Sequence, residues 1–226
     1  MVAAVAALAA VAGAWPTRSA PRTTAAPSRG PVLQSVLVVP MGRRIPSVAV
    51  QEAAQGLHAL YGLRVRVAHR RPLPRKAYYP PRKRYRAERL LDYLSTVPSA
   101  GAFRILGITA SDISTTKGRY RDWGIMGLAL LSGRVSVVSM FRCRRGARSS
   151  LHARHRFAKT VAHEIGHTLG LEHCPTRGCI MEDARGTNKT TDREYDLCPR
   201  CRRLLRRAGY RIPAHPKLPW PKPQIH

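Results

Sequence analysis

At 226 residues the chain has the length of one domain and is long enough to bury a core without disulfide staples. An apolar fraction of 44% is that of an ordinary globular protein, and the only uninterrupted apolar run lies at the extreme N-terminus, which argues against a membrane span. With 40 Lys and Arg against 12 Asp and Glu, the formal charge of +28 attracts polyanions or acidic peptides; the basic residues are nevertheless spread along the chain without interleaved aromatics, so a nucleic-acid partner is the less favoured reading.

In chain order, residues 1–15 are Ala- and Val-rich with no basic residue ahead of them, and Ala12-Gly13-Ala14 resembles a signal-peptidase site. A leader and a ragged start are both open readings. Residues 16–31 are rich in Pro, Ser, Thr and Arg, the composition of a disordered linker. The β-branched run at 32–40 predicts a buried strand, the amphipathic stretch 45–62, with Pro46 early and Gly62 at its end, predicts a helix, and the alternating stretch from Leu63 predicts a half-wet strand. Together they form a parallel βαβ unit. A Pro- and Arg-rich stretch leads to an expected helix over 84–97. Three short apolar runs between Phe103 and Phe141 predict three more strands, and the polar interval 109–122 predicts a loop. The strongest helical periodicity covers 149–171, ended by Gly170. Beyond it the chain reads as irregular as far as a short basic helix over 202–210, then a Pro-rich tail over 212–226.

On the 149–171 helix His163 and His167 stand one turn apart on one face, with Glu164 between them in sequence. Gly170 can adopt the positive φ that reverses a chain, which carries His173 back toward the other two, and the run reads H-E-I-G-H-T-L-G-L-E-H. Three neutral imidazoles on zinc leave a fourth position for water, with Glu164 placed to hold that water without being a ligand. Met181 downstream is a candidate methionine turn. His152 and His155 sit on an Arg-rich face and read as surface residues, and His58, His69, His215 and His226 have no acidic or cysteine neighbours.

Cys174 follows His173 directly; Cys179, Cys198 and Cys201 complete two close pairs separated by a loop, the spacing of a closed four-thiolate zinc site. Such a site has no open position, so its role is to staple the C-terminal segment to the helix. Two disulfides are the other reading of the same pairs. Cys143, between Arg142 and Arg144, reads as a plain buried or edge cysteine, with a lowered thiol pKa only if exposed.

The extended histidine pattern resembles the metzincin metallopeptidases, and with the four cysteines after it the match narrows to the archaemetzincins (archaelysins). The resemblance is specific over 161–201; over 32–141 only the order of strands and helices matches. It implies an α/β fold: a metzincin-like domain over 32–211, with a twisted mixed sheet packed by helices, the H-E-x-x-H helix, and an irregular zinc-stapled C-terminal segment. It implies two zinc ions, one catalytic on His163, His167 and His173, one structural on Cys174, Cys179, Cys198 and Cys201, with Glu164 as general base in peptide hydrolysis. A zinc-stabilised module that binds peptides or nucleic acid with little turnover is the alternative, and Glu164 weighs against it. A peptide or protein substrate held along the edge strand expected at 134–141, a monomeric state and a cytoplasmic location are further expectations; the location rests on free thiolates, against which the Ala-rich start and the Asn188-Lys189-Thr190 triplet hint at export.

Overall fold

In the computed structural model, which describes residues 34–223, the first apolar run forms strand β1 (Ser35–Met41), followed by helix α1 (Ser47–Tyr61) and strand β2 (Arg64–Val67). The Ala-rich start, the linker and His226 lie outside the described residues. β1 and β2 pair in parallel, as the βαβ reading requires, and α1 stops at Gly62 in the left-handed conformation. Strands β3 (Tyr78–Tyr79) and β4 (Arg84–Arg86) come next, so the helix expected from residue 84 is shortened to α2 (Ala87–Ser95).

Between residues 103 and 141 there are five strands where three were expected: β5 (Arg104–Thr109), β6 (Ile113–Lys117), β7 (Tyr120–Ile125), β8 (Gly127–Ala129) and β9 (Val135–Ser139). The interval expected to be a loop is an antiparallel hairpin, β6 and β7. Its polar residues are paired instead of apolar: Thr115 and the Thr116 amide donate to Glu88, and Asp112 accepts from Arg142. Helix α3 (Met140–Cys143) ends the last apolar run, and α4 (Ser150–Thr168) is the long helix, capped by the Ser149 hydroxyl. The cysteine-bearing segment contains α5 (Asn188–Arg193), which its composition did not disclose, and α6 (Pro199–Arg207), which starts three residues before the helix expected at 202, with Pro199 in its first turn.

The strands make two mixed sheets, one ordered β2-β1-β5-β9-β8 and parallel except for β8, the other ordered β3-β4-β6-β7. The expected edge strand is therefore corrected: β9 is interior, with all five residues buried, and the edge is β8. Ser136 and Ser139 are buried as completely as the valines, so β9 is covered on both faces. Alternation along β1 and β5 divides the core. Val36, Val38, Leu106 and Ile108 pack against α1 and α4 on one face, and Leu37, Val39 and Ile105 pack against α2 on the other.

Residues 212–223 hold no helix or strand, yet they are not loose. Trp220 is 2% exposed, its ring covers Gly56 of α1, where a β-carbon would come within 2.6 Å, and its indole N–H donates to the Tyr195 carbonyl at 2.9 Å. Trp220→Ala is expected to lower the unfolding free energy by about 3–5 kcal/mol in urea denaturation, the range for deleting a large buried aromatic. A loss below about 1 kcal/mol, typical of a surface change, would show that the tail contributes no core.

Candidate metal centre

Helix α4 presents His163 and His167 on one face, and the chain then turns through Gly170 at φ 94°, with the Gly170 amide bonded to the His167 carbonyl and the Leu171 amide to the Gly166 carbonyl. This reversal brings His173 beside the other two; one ring nitrogen from each of the three lies within 4.8 Å of the others. The orientation of two rings is fixed from behind. His163 Nδ1 lies 2.7 Å from the Ile180 carbonyl and His167 Nδ1 2.7 Å from the Leu171 carbonyl. A carbonyl only accepts, so both Nδ1 atoms carry the proton and both Nε2 atoms turn lone pairs to the cleft. Those Nε2 atoms are 3.0 Å apart. Two acceptors at that distance repel unless a cation lies between them, and zinc–nitrogen bonds of about 2.0–2.1 Å set a tetrahedral edge of about 3.3 Å. Burial, then the neighbouring His167, pushes His163 down to about 3, which keeps it in the neutral form a metal requires.

Glu164 points to the other side of the cleft, is 7% exposed, and has its carboxyl raised by burial to about 8. It lies against the edge strand: a β-carbon on Gly127 would sit 2.5 Å from its Cγ and 2.6 Å from Oε1. Gly127 is a functional position that the sequence reading missed; the available signal was a glycine inside a strand pattern, which marks a close approach. Gly166, inside the histidine motif, has the same quality, since a side chain there would collide with Met181 Sδ and the Tyr61 hydroxyl. Tyr61 in turn donates to the Ala162 carbonyl at 2.9 Å, and Met181 is wholly buried against the helix.

The four cysteines converge from a different direction. Cys174 Sγ is 3.6 Å from Cys198 Sγ and Cys179 Sγ 3.7 Å from Cys201 Sγ, and all four are buried and unbonded to one another. A disulfide needs about 2.05 Å. Zinc–sulfur bonds of about 2.3 Å set a tetrahedral edge of about 3.8 Å, so the spacing suits four thiolates around one ion. The hydrogen bond between Cys179 and Cys201 pulls the Cys179 thiol down to about 6 and pushes Cys201 up, so that Cys201 keeps the proton and the Cys179 sulfur accepts it. Cys143 belongs to neither cluster; it is buried, and burial pushes its thiol up to about 12.

A cavity of about 390 Å³ adjoins the histidines, bounded by the β6–β7 hairpin, by β8 and by the segment running through α5. α5 is pinned to α4 through Asp192, which accepts from Arg156 at 2.6 and 2.7 Å and lies 2.6 Å from His152 Nε2. His152, read as a surface residue, is thus half-buried and engaged, and His155 is half-buried as well. Asn188 is also engaged, its amide donating to the Arg142 and Arg145 carbonyls. Burial works to raise the Asp192 carboxyl, but the Arg156 and His152 hydrogen bonds outweigh it and hold the group below its ordinary range. Glu194, just beyond α5, lines the cavity and is 2% exposed, and burial holds its carboxyl well above the usual range. No motif pointed to it. Among the described residues no helix is long and apolar enough to cross a membrane.

The sequence model of peptidase family M54 matches residues 50–207. An archaemetzincin of Natronomonas pharaonis is 35% identical over 175 residues, which cover 74% of this chain and 97% of that protein. The crystal structure of an archaemetzincin from Methanopyrus kandleri matches with a TM-score of 0.69 at 31% identity, over 80% of this chain and 98% of that one. That of an archaemetzincin from Archaeoglobus fulgidus, complexed with malonate, matches with a TM-score of 0.63 at 27% identity, over 75% and 99%.

Because the Asp192 carboxyl is held below its unfolded value of 3.8, its contribution to stability is present above that pH and disappears as pH falls through the lowered folded value. The difference in unfolding free energy between wild type and Asp192→Asn is expected to persist above the unfolded value of 3.8 and to shrink as pH falls from there through the lowered folded value. A difference independent of pH would mean that the ionised carboxylate is not what anchors α5.

Proposed function

We propose, on the premise that this chain belongs to peptidase family M54 and is a zinc metallopeptidase, that His163, His167 and His173 hold the catalytic zinc. In the same reading Glu164 is the general base and Cys174, Cys179, Cys198 and Cys201 hold a second, structural zinc. The observation that carries the reading is the pair of Nε2 atoms 3.0 Å apart, both turned to the cleft by carbonyls behind them, with the Glu164 carboxyl in the same cleft.

Bound zinc supplies a Lewis acid that polarises the scissile carbonyl and acidifies the attacking water. Glu164 takes the proton of that water on a carboxylate oxygen and passes it to the leaving amine. Burial alone favours the protonated carboxyl; Glu164 would be drawn back toward the ionised form that accepts the water's proton by the charge of a zinc ion in the same cleft. The outer edge of β8 faces the cleft at Gly127, Leu128 and Ala129, beside His163 and Glu164, and is suited to hold an extended peptide by main-chain hydrogen bonds. Met181 serves as the methionine turn, its thioether filling the space that Gly166 leaves on the ligand helix.

Metal analysis of the purified protein is expected to give two zinc ions per chain in both wild type and Glu164→Gln, with peptide cleavage lower by about 10²–10⁴-fold in the variant, the usual range for a lost general base. Undiminished cleavage by the variant would remove Glu164 from the mechanism. Gly127→Ala places a methyl group against the Glu164 carboxylate and is expected to lower kcat by about 10²-fold, with zinc content retained, as a displacement of about 1 Å does to a positioned group. A Gly127→Ala enzyme as active as wild type would show that the close approach does not set the position of Glu164.

A further inference from the structure

The part of the cavity that lies away from His163, Glu164 and His173 is not used by the chemistry assigned above. Its volume of about 390 Å³ lies within the range of ligand pockets and amply admits one long peptide side chain. Trp123, Ile125 and Met126 give it an apolar wall, and Glu194, almost wholly buried, gives it an acid.

Glu194 feels the field of the buried Lys159 but makes no direct ion pair with it. The two cations whose fields reach it are engaged elsewhere: Lys159 Nζ donates to the Thr191 and Asp192 carbonyls at 3.1 and 3.2 Å, and Arg193 pairs with Glu182. Arg142, in the cavity wall, is held by both oxygens of Asp112 at 2.8 and 3.1 Å. Among the described residues no hydrogen bond or ion pair reaches the Glu194 carboxyl. The cavity also has basic residues at Lys117, Arg145 and Arg185, but all three are exposed. Charges in contact with solvent are screened, whereas the buried Glu194 carboxyl, held toward its neutral form, ionises against a cation that enters and then acts through a low effective dielectric, so the acid governs selection.

We propose that this cavity is the side-chain subsite next to the scissile bond and that Glu194 makes it select a Lys or Arg residue of the substrate. The methylene stem would lie along Trp123, Ile125 and Met126 while the cationic head meets Glu194, the arrangement long basic side chains favour. The proposal rests on the histidine cluster being the peptidase centre.

The test uses peptides identical except for Arg, Lys, Leu or Glu on either side of one bond. Their affinities are measured by calorimetry on the zinc-loaded Glu164→Gln protein, and their cleavage on wild type. The Arg and Lys peptides are expected to bind at least about 30-fold more tightly than the Leu peptide, the lower end for a desolvated charge pair. That ratio should fall toward one when Glu194→Gln is added, persist with Glu194→Asp, and turn toward the Glu peptide with Glu194→Lys. Because each ratio is taken within one protein, a variant that folds only in part still reports it. Equal affinity for Arg and Leu peptides, a ratio that survives Glu194→Gln, a preference for Glu, or no measurable binding would each overturn the proposal. A basic preference in binding without any cleavage by wild type would overturn the peptidase centre and with it the subsite, leaving only the choice of a basic side chain by Glu194. Cleavage without that preference would overturn the subsite and leave the peptidase centre standing.

Discussion

The arrangement depends on one hydrogen bond more than on any other, that from His163 Nδ1 to the carbonyl of Ile180 at 2.7 Å. Ile180 stands between Cys179 and Met181, in the segment that the cysteine cluster fixes. The backbone there is tied on both sides: the Cys174 amide bonds to the Met181 carbonyl at 2.7 Å and the Ile180 amide to the Asp196 carbonyl at 3.0 Å. A segment without regular structure thereby becomes rigid enough to orient a ring on the long helix. In the proposed reading, the thiolate clasp has no part in the chemistry but decides which nitrogen of His163 faces it, the usual role of groups behind a metal ligand.

Close approach on the other side of the cleft has a comparable logic. Glu164 can lie against β8 only because position 127 has no side chain, and Met181 can lie against α4 only because position 166 has none. Both glycines sit within regular elements, where glycine is intrinsically unfavourable, so local stability is given up for the position of a functional group. Glu194 shows the same priority in a third place: burial of its carboxyl costs stability, and in the proposed reading a substrate cation in the cavity offsets that cost.

That the three histidines and the four cysteines gather into two clusters was legible in the sequence because the signals are local. Histidines four apart on a helix, a glycine at the reversal and cysteines in two close pairs each constrain geometry within a few residues. The βαβ start was legible for the same reason. The β6–β7 hairpin was not, because what holds it is the pairing of Thr115, Thr116 and Asp112 with Glu88 and Arg142, residues distant in sequence. Nor could the apolar pattern of β9 say which neighbour covers each face; that depends on strand order, and the order makes β8 the edge. Trp220 was read as part of a tail because prolines surround it, whereas a tryptophan in such company is an anchor once Gly56 offers a flat place for it.

The central claim is that two adjacent residues, His173 and Cys174, serve two different ions. X-ray absorption at the zinc edge on the purified protein measures this division directly, since sulfur and nitrogen shells have different radii. The account predicts a first shell split evenly between sulfur at about 2.3 Å and nitrogen or oxygen at about 2.0–2.1 Å. A shell without sulfur, as paired disulfides would leave, or one dominated by sulfur would contradict it.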